Sequence, residues 1–141
     1  MSTFVLDCSV VMAWCFEDEF NAFAQLVADR LAGSSQAIVP VIWPLEVTNV
    51  LLVGERRGRI SAAHVHNAVR MLTDLPIAID SQAMDRTFRE ITSLARQHKL
   101  STYDASYLDL ALYRGCPLAT LDAGLRNTAV QLGIDTTFSG P

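Results

Sequence analysis

The stretch Phe4-Val5-Leu6-Asp7-Cys8-Ser9 decides the fold, because an apolar run ends on an acid directly before a helical pattern. Residues 3–7 are expected to form a short buried strand, and a helix is expected to begin near Ser9. A second apolar run, residues 117–121, ends in the same way on Asp122. Ligand sites of open α/β sheets form beyond the carboxyl ends of the strands. We therefore expect Asp7 and Asp122 to lie at a ligand site.

Strand and helix patterns alternate along the rest of the chain. Further strands are predicted at residues 37–39 and 76–79, and residues 134–138 could add an edge strand. Helical patterns separate them, one beginning near residue 9 and others at residues 20–31, 44–57, 61–72, 84–95, 102–114 and 125–132. Such alternation predicts a parallel sheet with helices on both faces. The expected fold class is α/β, a single domain over residues 1–141 built as a three-layer α/β/α sandwich with a central, mostly parallel sheet of four to five strands.

Composition limits the classes of function. Half of the 141 residues are apolar, and the net charge is −4 with Lys99 as the only lysine. This charge balance argues against a general nucleic-acid binder, although bound cations would offset an acidic site. No signal peptide or membrane span is recognised, and Cys8, Cys15 and Cys116 lack the spacing of metal ligands. We expect a cytoplasmic protein, not bound to membranes, whose cysteines are small buried hydrophobes.

Glu46 is the acid that is hardest to explain as a purely structural residue. Pro44 predicts a helix start, and the run from Val50 to Val53 indicates a helix that is apolar nearly all round and therefore buried. A buried carboxylate is costly unless it is paired or bound to a cation. Asn49 lies three residues further along the same helical face, within reach of Glu46.

Three other acids each have a simpler explanation as helix caps. Asp7 and Asp122 precede helices and could be N-caps, and Ser101 to Asp104 resembles a capping box. Taken with Glu46, however, they predict one carboxylate pocket in a parallel α/β fold. Converging carboxylates repel one another unless they are protonated or bound to cations. Such a pocket is typical of a hard divalent metal site and of phosphate chemistry.

Two further acids are left out of this set. Asp80 also follows a predicted strand, but with Ser81 it is expected only to cap the next helix. Asp109 lies five residues after Asp104, so it is expected to point elsewhere around the helix and into solvent.

Recognisable motifs surround all four acids of the set. Asp7 and Ser9 form an Asp-x-Ser motif, with Trp14 following, and Glu46 and Asn49 form a Glu-x-x-Asn motif. Residues 102–111 contain the segment Tyr-Asp-Ala-x-Tyr-Leu, and residues 118–125 contain Thr-x-Asp at a strand end.

In this order and spacing the chain resembles the PIN-domain nucleases, and within them the VapC-type toxins of bacterial and archaeal toxin–antitoxin pairs. The likeness covers essentially the whole chain. It departs at Leu125 and Arg126, a region where the family often carries a further acid. Fewer carboxylates would therefore hold a second metal ion.

The resemblance implies a metal-dependent endoribonuclease that uses Mg²⁺ or Mn²⁺, with one or two bound ions. The implied catalytic and metal-binding residues are Asp7, Glu46, Asp104 and Asp122. Glu46 would be either a ligand or the base that orients the attacking water. The residues that would orient these carboxylates or waters are Ser9, Asn49 and Thr120.

The resemblance also implies the biological setting. A VapC-like toxin would cleave structured RNA, such as tRNA or ribosomal RNA, and so inhibit translation. It would form a homodimer, and a small cognate antitoxin would hold it inactive.

Three alternatives differ from this reading in chemistry or in biology. A PIN-domain nuclease could process RNA, or act on DNA, without an antitoxin. A catalytically silent protein could keep the fold only for binding. A receiver-like phosphoacceptor domain would need a lysine at a strand end, whereas Lys99 precedes a helix.

Overall fold

A four-stranded parallel sheet forms the centre of the protein. The computed structural model describes residues 2–138. Within them the strands are β1 (Thr3–Leu6), β2 (Gln36–Pro40), β3 (Ile77–Asp80) and β4 (Leu118–Ala119). Their order across the sheet is β3-β2-β1-β4, and every neighbouring pair is parallel. The predicted α/β class with a parallel central sheet is confirmed.

Helices fill the connections between the strands. They are α1 (Cys8–Cys15), α2 (Ala22–Ala32), α3 (Trp43–Arg56), α4 (Ala62–Thr73), α5 (Met84–Arg86), α6 (Thr92–His98), α7 (Thr102–Arg114) and α8 (Ala123–Gln131). A 3₁₀ turn (Glu17–Glu19) follows α1, and a π-helical turn (Thr87–Ile91) joins α5 to α6. Among residues 2–138, no helix has both the length and the apolar character needed to cross a bilayer.

The central strands are covered on both faces. Successive residues of a strand point to opposite faces of the sheet, and Phe4, Val5 and Leu6 of β1 are all buried. Helix α7 packs across β1, β2 and β4, while α2 contacts β2. Strands that are apolar on both faces are typical of parallel sheets enclosed by helices. The layered arrangement that the alternating pattern predicts is therefore present.

Local signals in the sequence set several helix ends. The Ser61 hydroxyl accepts the His64 backbone N–H and starts α4. The Ser101 hydroxyl accepts the Asp104 backbone N–H at 3.1 Å and starts α7. Gly115, with φ of 61°, ends α7 in the left-handed conformation that glycine adopts without steric cost. These caps fix the ends of α7, the helix that carries Asp104.

The expected edge strand at residues 134–138 is absent from the described sheet. One backbone hydrogen bond of 2.9 Å joins the Leu118 N–H to the Asp135 carbonyl. The Asp135 carboxylate then accepts both the backbone N–H and the hydroxyl of Thr137. A side chain that bonds its own backbone two residues on offers an alternative to strand pairing. Ile134, Thr136 and Phe138 are still buried, so the segment packs without forming a ladder.

The expected capping role of Asp80 and Ser81 is wrong. Asp80 is the last residue of β3, and its carboxylate lies 3.8 Å from Arg114. Ala83 occupies the N-cap position of α5, and no side chain caps that helix. Residues 81–83 separate the strand from the helix, so both side chains come too early to reach its first turn.

The expectation that α3 is buried nearly all round is also wrong. Leu51 is fully buried, but its neighbour Leu52 is 43 % exposed and Leu45 is 67 % exposed. The side chains of Leu45 and Leu52 therefore do not reach the core of this chain. The exposed side offers apolar area to another molecule.

The contrast between Leu51 and Leu52 gives a stability prediction. Leu51→Ala should lower the free energy of unfolding by about 2–5 kcal/mol, because it leaves a cavity in a close-packed core. The matched change Leu52→Ala, one residue along the same helix, should cost less than about 1 kcal/mol. Urea unfolding at low protein concentration measures both values. Equal losses would contradict the burial pattern of α3.

Candidate active site

Asp7 is a buried carboxylate at the carboxyl end of β1. Its backbone N–H donates to the Ala119 carbonyl at 3.0 Å, which ties the ends of β1 and β4 together. Its Oδ2 atom accepts hydrogen bonds from the Ser9 and Thr120 hydroxyls, both at 2.7 Å. A backbone hydrogen bond from Cys8 also reaches the carboxylate and lowers its pKa. Donors from three residues thus hold the Asp7 carboxylate in place at the end of β1.

The two hydroxyls that hold Asp7 also shape the end of β4. The Ser9 hydroxyl oxygen accepts the Leu121 backbone N–H at 2.9 Å, and the Thr120 hydroxyl oxygen accepts the Asp122 N–H at 3.0 Å. Each hydroxyl therefore donates to Asp7 and accepts from the β4–α8 turn. This pair of bridges links the chain at Asp7 to the chain at Asp122.

Asp122 combines a capping role with a place in the acidic group. It is the N-cap of α8, and its Oδ1 accepts the Leu125 backbone N–H at 2.9 Å. The residue is exposed, and its second oxygen has no hydrogen-bond donor among residues 2–138. Capping and cluster membership are therefore compatible at this position.

Glu46 lies in the first turn of α3 and is half-buried. Its Oε1 accepts a hydrogen bond from the Tyr107 hydroxyl at 2.5 Å. Asn49, by contrast, is exposed, and its side chain makes no hydrogen bond to residues 2–138. The structure thus gives Glu46 a different partner from the one that the Glu-x-x-Asn spacing suggests.

Asp104 lies in the first turn of α7, half-buried, and is the least constrained of the four acids. Its backbone N–H is capped by Ser101. Its carboxylate has no hydrogen-bond donor among residues 2–138. Both oxygens are therefore free to bind a ligand or water.

Electrostatics joins the four acids into one group. Burial is the largest cause that raises the pKa of Asp7, of Glu46 and of Asp104. The negative charge of Asp122 further raises the pKa of Asp7 and of Asp104. The charges of Asp7 and Asp104 raise the pKa of Glu46. Carboxylates that raise one another's pKa are close enough to repel, and a cation between them would relieve that repulsion.

The residues present fit a hydrated divalent cation. Their ligand atoms are carboxylate oxygens, the type that Mg²⁺ and Mn²⁺ prefer. Within residues 2–138, no three acidic, cysteine or histidine side chains lie close enough to hold one ion directly. Magnesium sites commonly use only one or two carboxylates and keep several waters. A hydrated ion held directly by one or two of these acids, and through water by the others, is compatible with this placement.

The region after Asp122 supplies no further acid. Leu125 is buried, and the Arg126 guanidinium donates to the Thr120 carbonyl at 3.1 Å. This is where the sequence departs from the family motif.

Cys8 lies beside the acids but is not a candidate nucleophile. Burial, and then the charges of Asp7 and Glu46, raise the pKa of its thiol to about 12. The thiol is therefore neutral near pH 7. Cys8 and Cys15 are both buried, as expected for small hydrophobic residues, whereas Cys116 is only partly buried.

Two features of α7 were missed or misjudged from the sequence. Tyr107 is fully buried and contacts Glu46, although it stands in the motif that contains Asp104 and could have been considered there. Asp109 is not solvated: it is buried, and its carboxylate pairs with Arg86 at 2.5 Å. An arginine 23 residues earlier in the chain gives no local signal of that pairing.

Comparison with known proteins places the chain in a family. The family model of the PIN domain matches residues 4–131. A search of curated proteins found no significant match. The family match thus spans every residue of the acidic group.

Solved structures share this fold at low sequence identity. PAE2754 from Pyrobaculum aerophilum is 22 % identical, with a TM-score of 0.69 over 90 % of this chain and 79 % of that one. VapC20 from Mycobacterium tuberculosis, described as a Sarcin-Ricin loop cleaving toxin, is 13 % identical, with a TM-score of 0.62 over 88 % and 93 %. FitAcB from Neisseria gonorrhoeae is 14 % identical, with a TM-score of 0.63 over 94 % and 95 %.

The parallel sheet, the acids at its edge and the family match agree with one another. The chain belongs to the PIN-domain family, whose members are nucleases.

Proposed function

We propose that this protein is a Mg²⁺- or Mn²⁺-dependent endoribonuclease that acts as the toxin of a toxin–antitoxin pair. The observation that carries the proposal is the electrostatic grouping of Asp7, Glu46, Asp104 and Asp122 at one edge of a PIN-domain sheet. Without a bound cation these carboxylates repel one another, and a divalent cation among them would relieve that repulsion.

In the proposed mechanism, the acidic group has two roles: it holds a cation, and it takes up a proton from water. Asp7, Asp104 and Asp122 would hold the cation, directly or through water, and Glu46 would be a further ligand as well as the candidate base. A divalent ion in such a site acts as a Lewis acid on phosphoryl oxygens and lowers the pKa of water. These acids supply ligands for at least one ion. Because α8 carries no further acid after Asp122, a second ion would have fewer ligands.

Glu46 is the residue best placed to take a proton from the attacking water. Burial, and then the charges of Asp7 and Asp104, raise its pKa above the usual value of 4.5. A higher pKa makes a carboxylate a better general base near neutral pH. In the reaction, water attacks phosphorus and gives its proton to Glu46, the phosphodiester P–O bond breaks, and the leaving oxygen takes a proton from solvent. Ser9 and Thr120 would keep Asp7 oriented, and the proposed role of Asn49 is to orient water from the exposed side of α3.

Support for RNA and for the toxin role comes from relatives of the same fold. VapC20 is described as a toxin that cleaves the Sarcin-Ricin loop, and FitAcB is a toxin–antitoxin complex. By this likeness we propose that the substrate is a structured RNA, such as tRNA or ribosomal RNA, and that its cleavage inhibits translation. A negatively charged protein needs the bound cation to accept such a polyanion.

The same likeness suggests the partners and the setting. We propose a small cognate antitoxin, a homodimer and a cytoplasmic location. Exposed apolar side chains on α3, Leu45 and Leu52 among them, are compatible with a protein partner or a second copy.

Cleavage assays with substituted acids test the nuclease proposal. Asp7→Asn and Asp104→Asn should each lower the rate of Mn²⁺-dependent RNA cleavage by at least about 100-fold, because each removes charge that the transition state depends on. Asp80→Asn is the control, since Asp80 ends a neighbouring strand but pairs with Arg114. Circular dichroism checks that every variant is folded. Undiminished cleavage by folded Asp104→Asn would reject the site.

Repulsion among the acids predicts that the site weakens the metal-free fold. The pKa of Asp104 is raised above 3.8 in the folded protein, so the folded state binds more protons between 3.8 and that higher value. Stability therefore falls as the pH rises through this window. In EDTA at pH 7, Asp104→Asn should raise the free energy of unfolding by about 0.5–2 kcal/mol.

The stability gain should disappear below pH 3.8, where Asp104 is protonated in both states. Glu90→Gln, at an exposed residue outside the cluster, should change stability little at either pH. Denaturant unfolding of both variants measures these differences. A loss of stability in Asp104→Asn at pH 7 would show that the acids do not repel.

Expression in bacteria separates a toxin from a housekeeping nuclease. Induction should arrest growth and translation, whereas the Asp7→Asn protein should not. Co-expression of a short neighbouring reading frame that encodes the antitoxin should restore growth. Cleavage sites mapped across total RNA should fall at a few positions in structured RNA. Normal growth together with cleavage in vitro would instead favour an RNA-processing enzyme without an antitoxin.

A further inference from the structure

Tyr107 joins two of the acid-bearing helices through one hydrogen bond. Its ring is fully buried in α7, and its hydroxyl donates to Glu46 Oε1 of α3 at 2.5 Å. No other donor from residues 2–138 reaches the Glu46 carboxylate. The orientation of Glu46 therefore depends on Tyr107, which belongs to the Tyr-Asp-Ala-x-Tyr-Leu segment but is not among the expected site residues.

Tyr107 also relates Glu46 to Asp104. The two α7 residues are three positions apart, so they share one face of the helix. Asp104 faces the acidic group, as its electrostatic coupling to Asp7 and Asp122 indicates. A single rigid helix thus carries one acid of the group and the hydroxyl that holds another.

Three of the four acids are anchored by hydrogen-bond donors. Asp7 is held by the Ser9 and Thr120 hydroxyls and by the Cys8 backbone. Asp122 is held through Oδ1 by the Leu125 N–H, and Glu46 is held through Oε1 by Tyr107. For Glu46 and Asp122, the second oxygen has no donor within residues 2–138. One oxygen of each is thus fixed by the protein, and one is left for a cation or water.

Glutamate depends on such an anchor more than aspartate does. Its longer side chain loses more rotamer freedom when it is ordered, and Glu46 lies at the edge of α3 where it is only half-buried. Without the Tyr107 hydroxyl, the carboxylate would sample several orientations. A buried tyrosine hydroxyl usually finds a hydrogen-bond partner, and a backbone carbonyl would have satisfied Tyr107. Tyr107 instead donates to Glu46, which supports a role for this bond in orienting the acid.

We propose that Tyr107 is a positioning residue, whose hydroxyl fixes Glu46 so that its free oxygen serves the cation and the attacking water. The expected effect on RNA cleavage rests on the proposed function. The expected effect on Mn²⁺ affinity does not depend on an RNA substrate. Loss of a residue that orients a metal ligand typically weakens metal affinity or activity by about 10- to 100-fold.

Tyr107→Phe is the direct test, because it removes the hydroxyl and keeps the ring in the core. Tyr113→Phe is the matched control: it lies on the same helix, is 65 % exposed and has no hydroxyl partner in residues 2–138. Calorimetric titration with Mn²⁺ should give about tenfold weaker binding for Tyr107→Phe and an unchanged Kd for Tyr113→Phe. With an RNA substrate, kcat should fall by a similar factor while KM stays constant. An unchanged Mn²⁺ affinity in folded Tyr107→Phe would overturn the proposal.

A double variant separates positioning from a general effect on structure. If Tyr107 acts through Glu46, adding Tyr107→Phe to Glu46→Gln should weaken Mn²⁺ binding no further. Full additivity of the two changes would contradict that route. A wild-type protein that binds Mn²⁺ but cleaves no RNA would reject the proposed function alone, because the titrations still decide the role of Tyr107.

A spectroscopic measurement keeps the proposal testable even if Tyr107→Phe does not fold. Donation to a carboxylate displaces tyrosine absorption to longer wavelength, so Glu46→Ala, which removes the acceptor, should move one tyrosine band back to shorter wavelength. The Asp104→Asn protein should keep the wild-type spectrum. Identical spectra for wild type and Glu46→Ala would show that the bond does not form in solution and would overturn the proposal.

Discussion

Repulsion among four carboxylates is the constraint to which the rest of this structure responds. Burial and the negative charge of neighbouring acids raise the pKa of Asp7, of Glu46 and of Asp104, and Asp122 is one of the charges responsible. Neutral groups would pack there at a lower free-energy cost. The chain instead holds Asp7, Glu46 and Asp122 with hydrogen-bond donors from neighbouring residues. The result is a set of free carboxylate oxygens oriented before any ligand arrives.

The parallel sheet makes this arrangement possible with few residues. Adjacent strands β1 and β4 end at the same edge, so Asp7 and the β4–α8 turn meet without a long loop. Ser9 and Thr120 then connect Asp7 to that turn, because each hydroxyl donates to Asp7 and accepts a backbone N–H of the turn. Glu46 and Asp104 come from the first turns of helices and are brought in by packing.

The sequence predicts what is set locally and fails where distant segments decide. Strand ends and helix caps such as Ser61 and Ser101 follow from neighbouring residues, and so the parallel α/β fold and the acid set could be predicted. The Asp109–Arg86 pair and the Tyr107–Glu46 bond join separate helices and have no local pattern. Residues 134–138 have the alternating burial of a strand, but they form no ladder, and the Asp135 carboxylate accepts the backbone N–H of Thr137.

Crystals grown with Mn²⁺ provide the most direct test of the central claim, that these acids form one divalent-cation site. Anomalous scattering at the manganese edge would locate the ion without assumptions about activity. The account predicts a peak among Asp7, Glu46, Asp104 and Asp122, coordinated through the oxygens that the protein leaves without donors, and lost in the Asp7→Asn protein. Manganese bound only elsewhere, or the four acids well ordered without it, would contradict the account.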